Sequence, residues 1–457
     1  MLPFVKTNLR KVVFFMDSIW RSNTQLPEFP ELKCNKKTDV LIIGGGMTGM
    51  LCAHFLQESG VDYMLVEAGK ICSGTTGNTT AKITAQHSLI YNKILKSRGL
   101  ETAAMYLHAN LDAVEKFAKL CTGKDCDFER KTSYVYSVDS LTKLEKEADA
   151  LARIGFYSEL TDRTELPFPV AGALSFNNQA QFNPLKFLSQ MAEGEGLKIY
   201  EKTRIAWFIP AEGSVPEYTA VTENGKKITF KKAIFASHFP IDNKHGLYFL
   251  KLYQHRSYVI ALQGAPKIHG MYVDEDKKGL SFRGYGDTLL LGGGSHRTGK
   301  KGGEWQELRD FARRYYPESK ETAFWAAQDC MSLDGMPYIG PYSKNMPGCF
   351  VATGYNKWGM TSSMIAAMLL SDMVMGRENP YAKVFDPSRS AMKPQLILNG
   401  CEAVKNLLTP TAKRCPHMGC ALKWNVSEQT WDCSCHGSRF DEEGKVLDNP
   451  ANGDLKK

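Results

Sequence analysis

Asp39-Val40-Leu41-Ile42-Ile43-Gly44-Gly45-Gly46-Met47-Thr48-Gly49 is the stretch that decides the fold. Its first half is a continuous apolar run, which suits a strand buried on both faces of a parallel sheet. The glycines follow at once, and Met50 to Ser59 then reads as a helix closed by Gly60. A second apolar strand, Tyr63-Met64-Leu65-Val66, stops at Glu67 and Ala68. Strand, glycine turn, helix and strand make a βαβ unit. Gly44-x-Gly46-x-x-Gly49 is a weak motif alone, and this setting gives it meaning. Gly44 permits the tight turn, Gly46 lets backbone approach a pyrophosphate, and Gly49 lets helix and strand touch. The helix start, at Met47 and Thr48, offers N–H groups to phosphates. Glu67 offers acceptors to a ribose hydroxyl. The alternative is a glycine-rich turn with no ligand.

Outward from this unit, residues 99–121 and 141–154 read as helices, and 134–138 and 227–236 as strands. Residues 246–297 alternate apolar and polar positions between glycine-rich turns, as in an antiparallel sheet. Phe350 to Thr353 reads as a last strand and Thr361 to Met375 as a helix. Glu378 to Pro394, rich in proline and charge, reads as a linker. The division expected is an N-terminal extension at 1–35, a main body at 36–378, a linker at 379–394 and a small module at 395–457.

Length and composition bound the function. A chain of 457 residues suggests two or three domains. Its net charge of +8 comes from scattered residues, 57 Lys and Arg against 49 Asp and Glu, so nucleic-acid binding is not expected. No apolar run is long enough for a membrane span. Met1 to Phe15 carries no small-residue cleavage pattern, and Met16 is an alternative start. Of the 12 cysteines, most are isolated, apart from Cys121-x4-Cys126 and four near the C-terminus. Such cysteines suit a reduced, cytoplasmic protein.

Two further stretches identify the cofactor by resemblance. Ser73-Gly74-Thr75-Thr76-Gly77-Asn78-Thr79-Thr80-Ala81-Lys82 resembles the segment beside the flavin in the D-amino-acid oxidase/glycine oxidase superfamily. Asp334-Gly335-Met336-Pro337-Tyr338-Ile339-Gly340, followed by Ala352-Thr353-Gly354-Tyr355-Asn356-Lys357-Trp358-Gly359-Met360-Thr361, resembles that superfamily's far end, where a turn and helix meet the flavin. The resemblance covers about residues 36–378 and implies FAD. It adds Thr75, Thr76, Thr79, Thr80, Gly354, Lys357, Trp358, Gly359, Met360 and Thr361 to the cofactor contacts. A helix starting near Gly359 would place partial positive charge by the reduced flavin. Lys357 either adds a full charge there or is a solvated loop lysine.

The last motif is Cys415-Pro416-His417-Met418-Gly419-Cys420 with Cys433-Ser434-Cys435-His436-Gly437-Ser438. Thiolate and imidazole in this mixture suit a [2Fe-2S] centre in which two His replace two Cys on one iron. The pattern resembles the Rieske signature, C-x-H-x-G-C followed by C-x-C-H-G-S. The resemblance implies that Cys415 and Cys433 hold one iron and that His417 and His436 hold the other. It implies a disulfide between Cys420 and Cys435, and a cluster-bonding hydroxyl at Ser438. Structural zinc is the alternative, although C-x-C-H fits the usual C-x2-C pairs poorly. A complete Rieske domain has basal strands before its first ligand loop, and Ile397 to Thr411 shows no such pair. The expectation is a shortened module that either leans on the flavin domain or binds its cluster poorly.

The whole chain resembles bacterial fusions of a D-amino-acid-oxidase-type flavoprotein with a C-terminal Rieske domain. The fold expected is α/β: a Rossmann-like FAD-binding domain, an interleaved antiparallel-sheet substrate domain, and the shortened all-β Rieske-like module. The function implied is oxidation of an amine or amino acid by hydride transfer to FAD, with electrons passed to the cluster and an external acceptor that the sequence does not name. The alternatives are an oxidase using O2 with a degenerate cluster module, or a redox-sensing or carrier protein. Catalytic residues are not evident. Asp329 stands where many superfamily members place a carboxylate-binding Arg, so it is the candidate to meet an amine cation, with Lys357 a weaker candidate. His255, Arg256, Tyr258, Arg283 and His296 are polar positions in the substrate sheet, each more in keeping with a structural role.

Overall fold

The structure is a computed structural model that describes residues 17–455 apart from 195, 210–216, 243–244, 277, 390–393 and 412. Strand β1 (Lys36–Ile43) is buried from Val40 onward, as its apolar run requires. Helix α1 (Met47–Glu58) follows the glycine turn, and β2 (Tyr63–Val66) returns parallel to β1. Strand β3 (Lys227–Phe235) pairs with the other side of β1, also parallel.

A second sheet takes strands from both sides of β3 in the chain, among them Lys82–Ile83, Glu129–Ser137 and Gly172–Gln181 before it. Strand β4 (Leu252–Gln263) lies between β5 (Thr288–Arg297) and β6 (Lys320–Ser332), both antiparallel to it. The chain returns to the first sheet with β7 (Cys349–Thr353), parallel to β3. Helix α2 (Gly359–Val374) packs on α1 and closes the main core. The two interleaved sheets are those expected from the sequence. A cavity opens between them at the C-terminal ends of β1 and β2, the usual ligand side of such sheets.

Two segments differ from their sequence reading. Residues 17–35 are no loose extension. Trp20 is fully buried and donates to Thr79 O (2.6 Å), and Ser18 and Arg21 bind the carbonyls of Gly77 and Ser73. The extension call for 1–16, and with it Met16 as a start, lies outside the described residues. The linker is also packed where it is described. Phe385 is fully buried, and Arg389 binds Asp334 (2.8 and 3.0 Å) while lying 3.9 Å over the Tyr338 ring. Charge and proline spacing read as a linker because the partner, Asp334, lies far back in the chain.

The C-terminal module has helix α3 (Pro394–Leu408) and a four-stranded antiparallel sheet: β8 (Leu422–Asn425), β9 (Thr430–Cys433), β10 (Arg439–Phe440) and β11 (Val446–Asp448). The helix stands where basal strands would precede the first ligand loop. Among the described residues no helix is long and apolar enough to cross a membrane.

Candidate active site

The glycine turn is built by close approach. Gly44 has φ +111°, and a Cβ there would lie 2.5 Å from Ala236 O. A Cβ at Gly49 would lie 1.9 Å from Gly44 O, so helix and strand pack backbone to backbone. Glu67 ties the turn together, accepting from Gly45 N (2.7 Å) and Gly69 N (2.8 Å). Burial raises its pKa, and those N–H donors oppose the rise. Thr76 Oγ1 accepts from Met47 N (3.0 Å) at the mouth of α1.

Around this turn lies a cavity of about 990 Å³. All but two of the cofactor contacts named from the sequence lie on its wall. The exceptions are Gly49, which is spent on helix–strand packing, and Thr361, whose hydroxyl is 3.0 Å from His87 Nε2. The turn, the hydroxyl-rich loop and the start of α2 therefore enclose one space, as a dinucleotide with a fused-ring end requires. Lys357 is exposed, has φ +75° and donates to Ser295 Oγ (2.6 Å).

Two wall residues were missed in the sequence. His87 stacks on Trp358 (4.9 Å, 13°) and is 2.7 Å from Tyr106 Oη. Burial lowers its pKa to about 3, so it is a neutral ring. Lys82 lies on the same wall, 3.3 Å from Thr80 Oγ1, and burial, with repulsion from Arg283, lowers its pKa to about 7. No spacing marks either residue. Both follow a loop whose course only the fold reveals.

Asp329 and His255 line the cavity, and Asp329 accepts from Ser257 Oγ (3.1 Å). Arg283 is not on the wall. It is buried beneath Trp20 and binds the carbonyls of Thr80 and Phe182, with burial lowering its pKa to about 9.

The two cysteine/histidine loops share a design. Cys415 N donates to Cys420 O (2.9 Å), Cys433 N donates to Ser438 O (2.9 Å), and a Cys420–Cys435 disulfide clamps one loop to the other. Cys415 and Cys433 are buried side by side. A hydrogen bond between these thiols, helped by the Ser438 hydroxyl, lowers the Cys415 pKa to about 7 against the effect of burial. The rings of His417 and His436 meet edge to face with centroids 4.9 Å apart. His436 Nδ1 is buried with no hydrogen-bond partner. Burial, then His417 and Arg297, lower the His436 pKa to about 3, which leaves a nitrogen lone pair for a metal. The paired thiols and the paired imidazoles thus lie on the two clamped loops, and the donor set fits an iron–sulfur cluster.

The module leans on the flavin domain, one of the two outcomes expected. Gln254 of β4 donates to His436 O (2.9 Å) and Asn449 O (2.8 Å), and its Oε1 is 3.0 Å from His238 Nε2. Gln328 of β6 donates to Gly437 O (2.8 Å), and its carbonyl accepts from Thr75 Oγ1 (2.9 Å). Arg297 donates to Ser434 O and Cys435 O, both at 2.9 Å. Phe239 sets its ring edge toward both His417 and His436, with centroids 6.4 Å away. Arg256 forks onto Glu428, which also accepts from Tyr258 Oη (3.0 Å) and Arg439 (2.7 Å). His296 completes this group, 3.0 Å from Tyr258 Oη. Arg256, Tyr258 and His296 thus anchor the module. Leu447, Asp448, Asn449 and Asn452 line the same cavity as the glycine turn.

Comparison with known proteins agrees with both halves. Residues 39–373 match the family model of FAD dependent oxidoreductases, and residues 395–457 match that of the Rieske [2Fe-2S] domain. A Rieske 2Fe-2S iron-sulfur protein of Bacillus subtilis (strain 168), YhfW, is 35% identical, over 96% of this chain and 97% of its own. The gamma-glutamylputrescine oxidoreductase of Escherichia coli (strain K12) is 25% identical, over 74% of this chain and 84% of its own. Among solved structures, glycine oxidase from Geobacillus kaustophilus superposes with a TM-score of 0.65 at 18% identity, covering 78% of this chain and 100% of that one.

Proposed function

The chain belongs to the family of FAD-dependent oxidoreductases and ends in a Rieske [2Fe-2S] domain, and from that premise we propose that it oxidises an amine or amino acid and delivers the electrons through its own cluster to an external acceptor. The observation that carries this reading is the docking of the cluster loops. Their histidine side faces Phe239 and Gln254 of the flavin domain, and the module closes part of the cavity wall. When bound, FAD supplies a two-electron hydride acceptor and the [2Fe-2S] cluster a one-electron carrier.

The residues divide the remaining work. The N–H groups at Gly46 to Thr48 and the α1 dipole would receive the pyrophosphate. Glu67 would hold the turn and offer a ribose its remaining acceptor capacity. The N-terminus of α2, with Lys357 beside it, would favour negative charge at the flavin's far edge. Cys415 and Cys433 would hold one iron, and His417 and His436 the other. The Cys420–Cys435 disulfide would keep the two ligand loops in register.

Charge supports an amine or amino-acid substrate, on a wall that carries lysines (Lys82, Lys93, Lys357) as well as acids. Asp274, Asp276 and Asp329 put carboxylates on the cavity wall, where a protonated amine is the natural counter-charge. The name of the Escherichia coli relative points the same way. Asp329 would then orient the amine, and Lys82 on the same wall, with its pKa lowered to about 7, would be partly neutral near pH 7 and able to take a proton.

The test is an anaerobic titration of purified protein with a panel of amines and amino acids, following the flavin absorbance and the cluster's EPR signal together. Bleaching of the flavin with appearance of the reduced-cluster signal is expected. Bleaching without the signal, with peroxide formed under air, would replace this reading with that of an oxidase.

A further inference from the structure

Helix α3 is inverted relative to an ordinary surface helix. Its buried side chains are polar: Asn399 is 7% exposed and Asn406 only 2%. Asn399 Oδ1 accepts from Arg297 Nη1 (2.9 Å), and Asn406 N–H groups donate to Glu402 O and Oε1 (2.7 Å each). The apolar side chains point away. Ile397 is 69% exposed, Leu398 59%, Val404 57% and Leu408 77%. Ile397, Cys401, Val404 and Leu408 recur at helical spacing, so they form one stripe. Leu407 and Met418 are exposed toward the cluster loop, where a Cβ on Gly419 would lie 3.8 Å from Leu407, and Leu247 and Leu250 are exposed at the short helix Tyr248–Lys251 that packs against α3. A contiguous apolar face of this kind marks an interaction site.

The charges beside the stripe select the occupant. Glu402, the acid of α3, is bound to Lys300 (2.6 Å). Lys405 is exposed on α3, and Lys413 (over the Trp431 ring, 4.5 Å) and Arg414 (bound to Leu407 O) are exposed on the segment that follows it. A second copy in a two-fold contact would set these cations against their own images. An anionic lipid surface satisfies both parts, with the apolar stripe below the headgroups and the cations among the phosphates. Fifteen residues are too few to span a bilayer, so such a helix lies in the plane of the interface.

We infer that α3 seats the protein on an anionic membrane surface, with its apolar stripe inserted at the headgroup level. The same seat brings the first cluster loop to the lipid. Arg414 donates to both Leu407 O (3.2 Å) and Gly419 O (2.8 Å), fixing α3 to that loop, and Pro416 and Met418 are exposed on it. This docking does not depend on which substrate the flavin site oxidises.

The test is flotation of the full-length holoprotein with vesicles of phosphatidylcholine alone or of phosphatidylcholine with phosphatidylglycerol. Binding to the anionic vesicles and not to the neutral ones is expected. Leu398→Glu/Leu408→Glu should lower the partition at least about tenfold, and Lys405→Glu should lower it less. Flavin absorbance and iron content unchanged in these variants establish that the fold is kept. Equal partition of the wild type and Leu398→Glu/Leu408→Glu would overturn the inference. So would light scattering that finds a dimer dispersed by those substitutions, which would assign the face to a second copy.

Discussion

Single residues decide where the module and the substrate are held. Glu428 is buried among Arg256, Arg439 and Tyr258, and the two guanidinium groups hold its pKa down to about 2 against burial. Replacing it by Gln leaves Arg256 buried without a counter-charge, a loss of about 3–5 kcal/mol for a pair of this type. Glu428→Gln should lower the urea midpoint of the cluster signal well below that of the flavin signal. Gln254 makes two donor bonds to the module, and Gln254→Leu should weaken docking by about 1–3 kcal/mol. Stopped-flow mixing should then show flavin reduction unchanged and cluster reduction slowed. Asp329 is tested by Asp329→Ala. Losing a charged partner costs about 1.5–3 kcal/mol, so KM for amines should rise roughly tenfold or more with flavin content intact, and an unchanged KM would remove Asp329 from the site.

At the scale of elements, the turn between β1 and α1 bounds the cavity, and the packed linker after α2 acts as a strap. Gly49→Ala has no room, because its methyl would meet Gly44 O at 1.9 Å. The variant should emerge from gel filtration with little FAD while keeping its iron. The strap is fastened by Asp334: burial pushes its pKa up, and hydrogen bonds and charge pairing with Arg389 overcome that and hold it at about 2. A carboxylate with a depressed folded-state pKa stabilises above its unfolded pKa, and that contribution is lost as pH falls toward the folded value. Asp334 and Glu428 have ordinary values of 3.8 and 4.5 and folded values of about 2. Docking of strap and module should therefore hold above about pH 4.5 and fail progressively toward pH 2, as limited proteolysis after acid incubation would report.

For the whole molecule, what was legible in the sequence was local. The β1–turn–α1–β2 unit could be read because glycine spacing, apolar run and terminal acid lie within thirty residues of each other. The ligand loops could be read because four donors sit in two short motifs. Contacts across the two parts could not. Arg256 and Tyr258 alternate on a strand like substrate contacts, and nothing near them announces Glu428, 172 residues away from Arg256. Helix α3 escaped notice for the opposite reason. Ile397, Cys401, Val404 and Leu408 have helical spacing but face outward, so the pattern that usually marks a buried face marks an exposed one here.

The carboxylate shared by Arg256, Tyr258 and Arg439 has an evolutionary consequence. A lineage that lost the C-terminal gene segment would inherit a stranded guanidinium in the middle of its substrate sheet, and selection would have to repair it. Relatives that stop before the iron-binding segment should therefore carry an uncharged side chain where Arg256 stands, while those that keep the fusion should vary the arginine and its glutamate together.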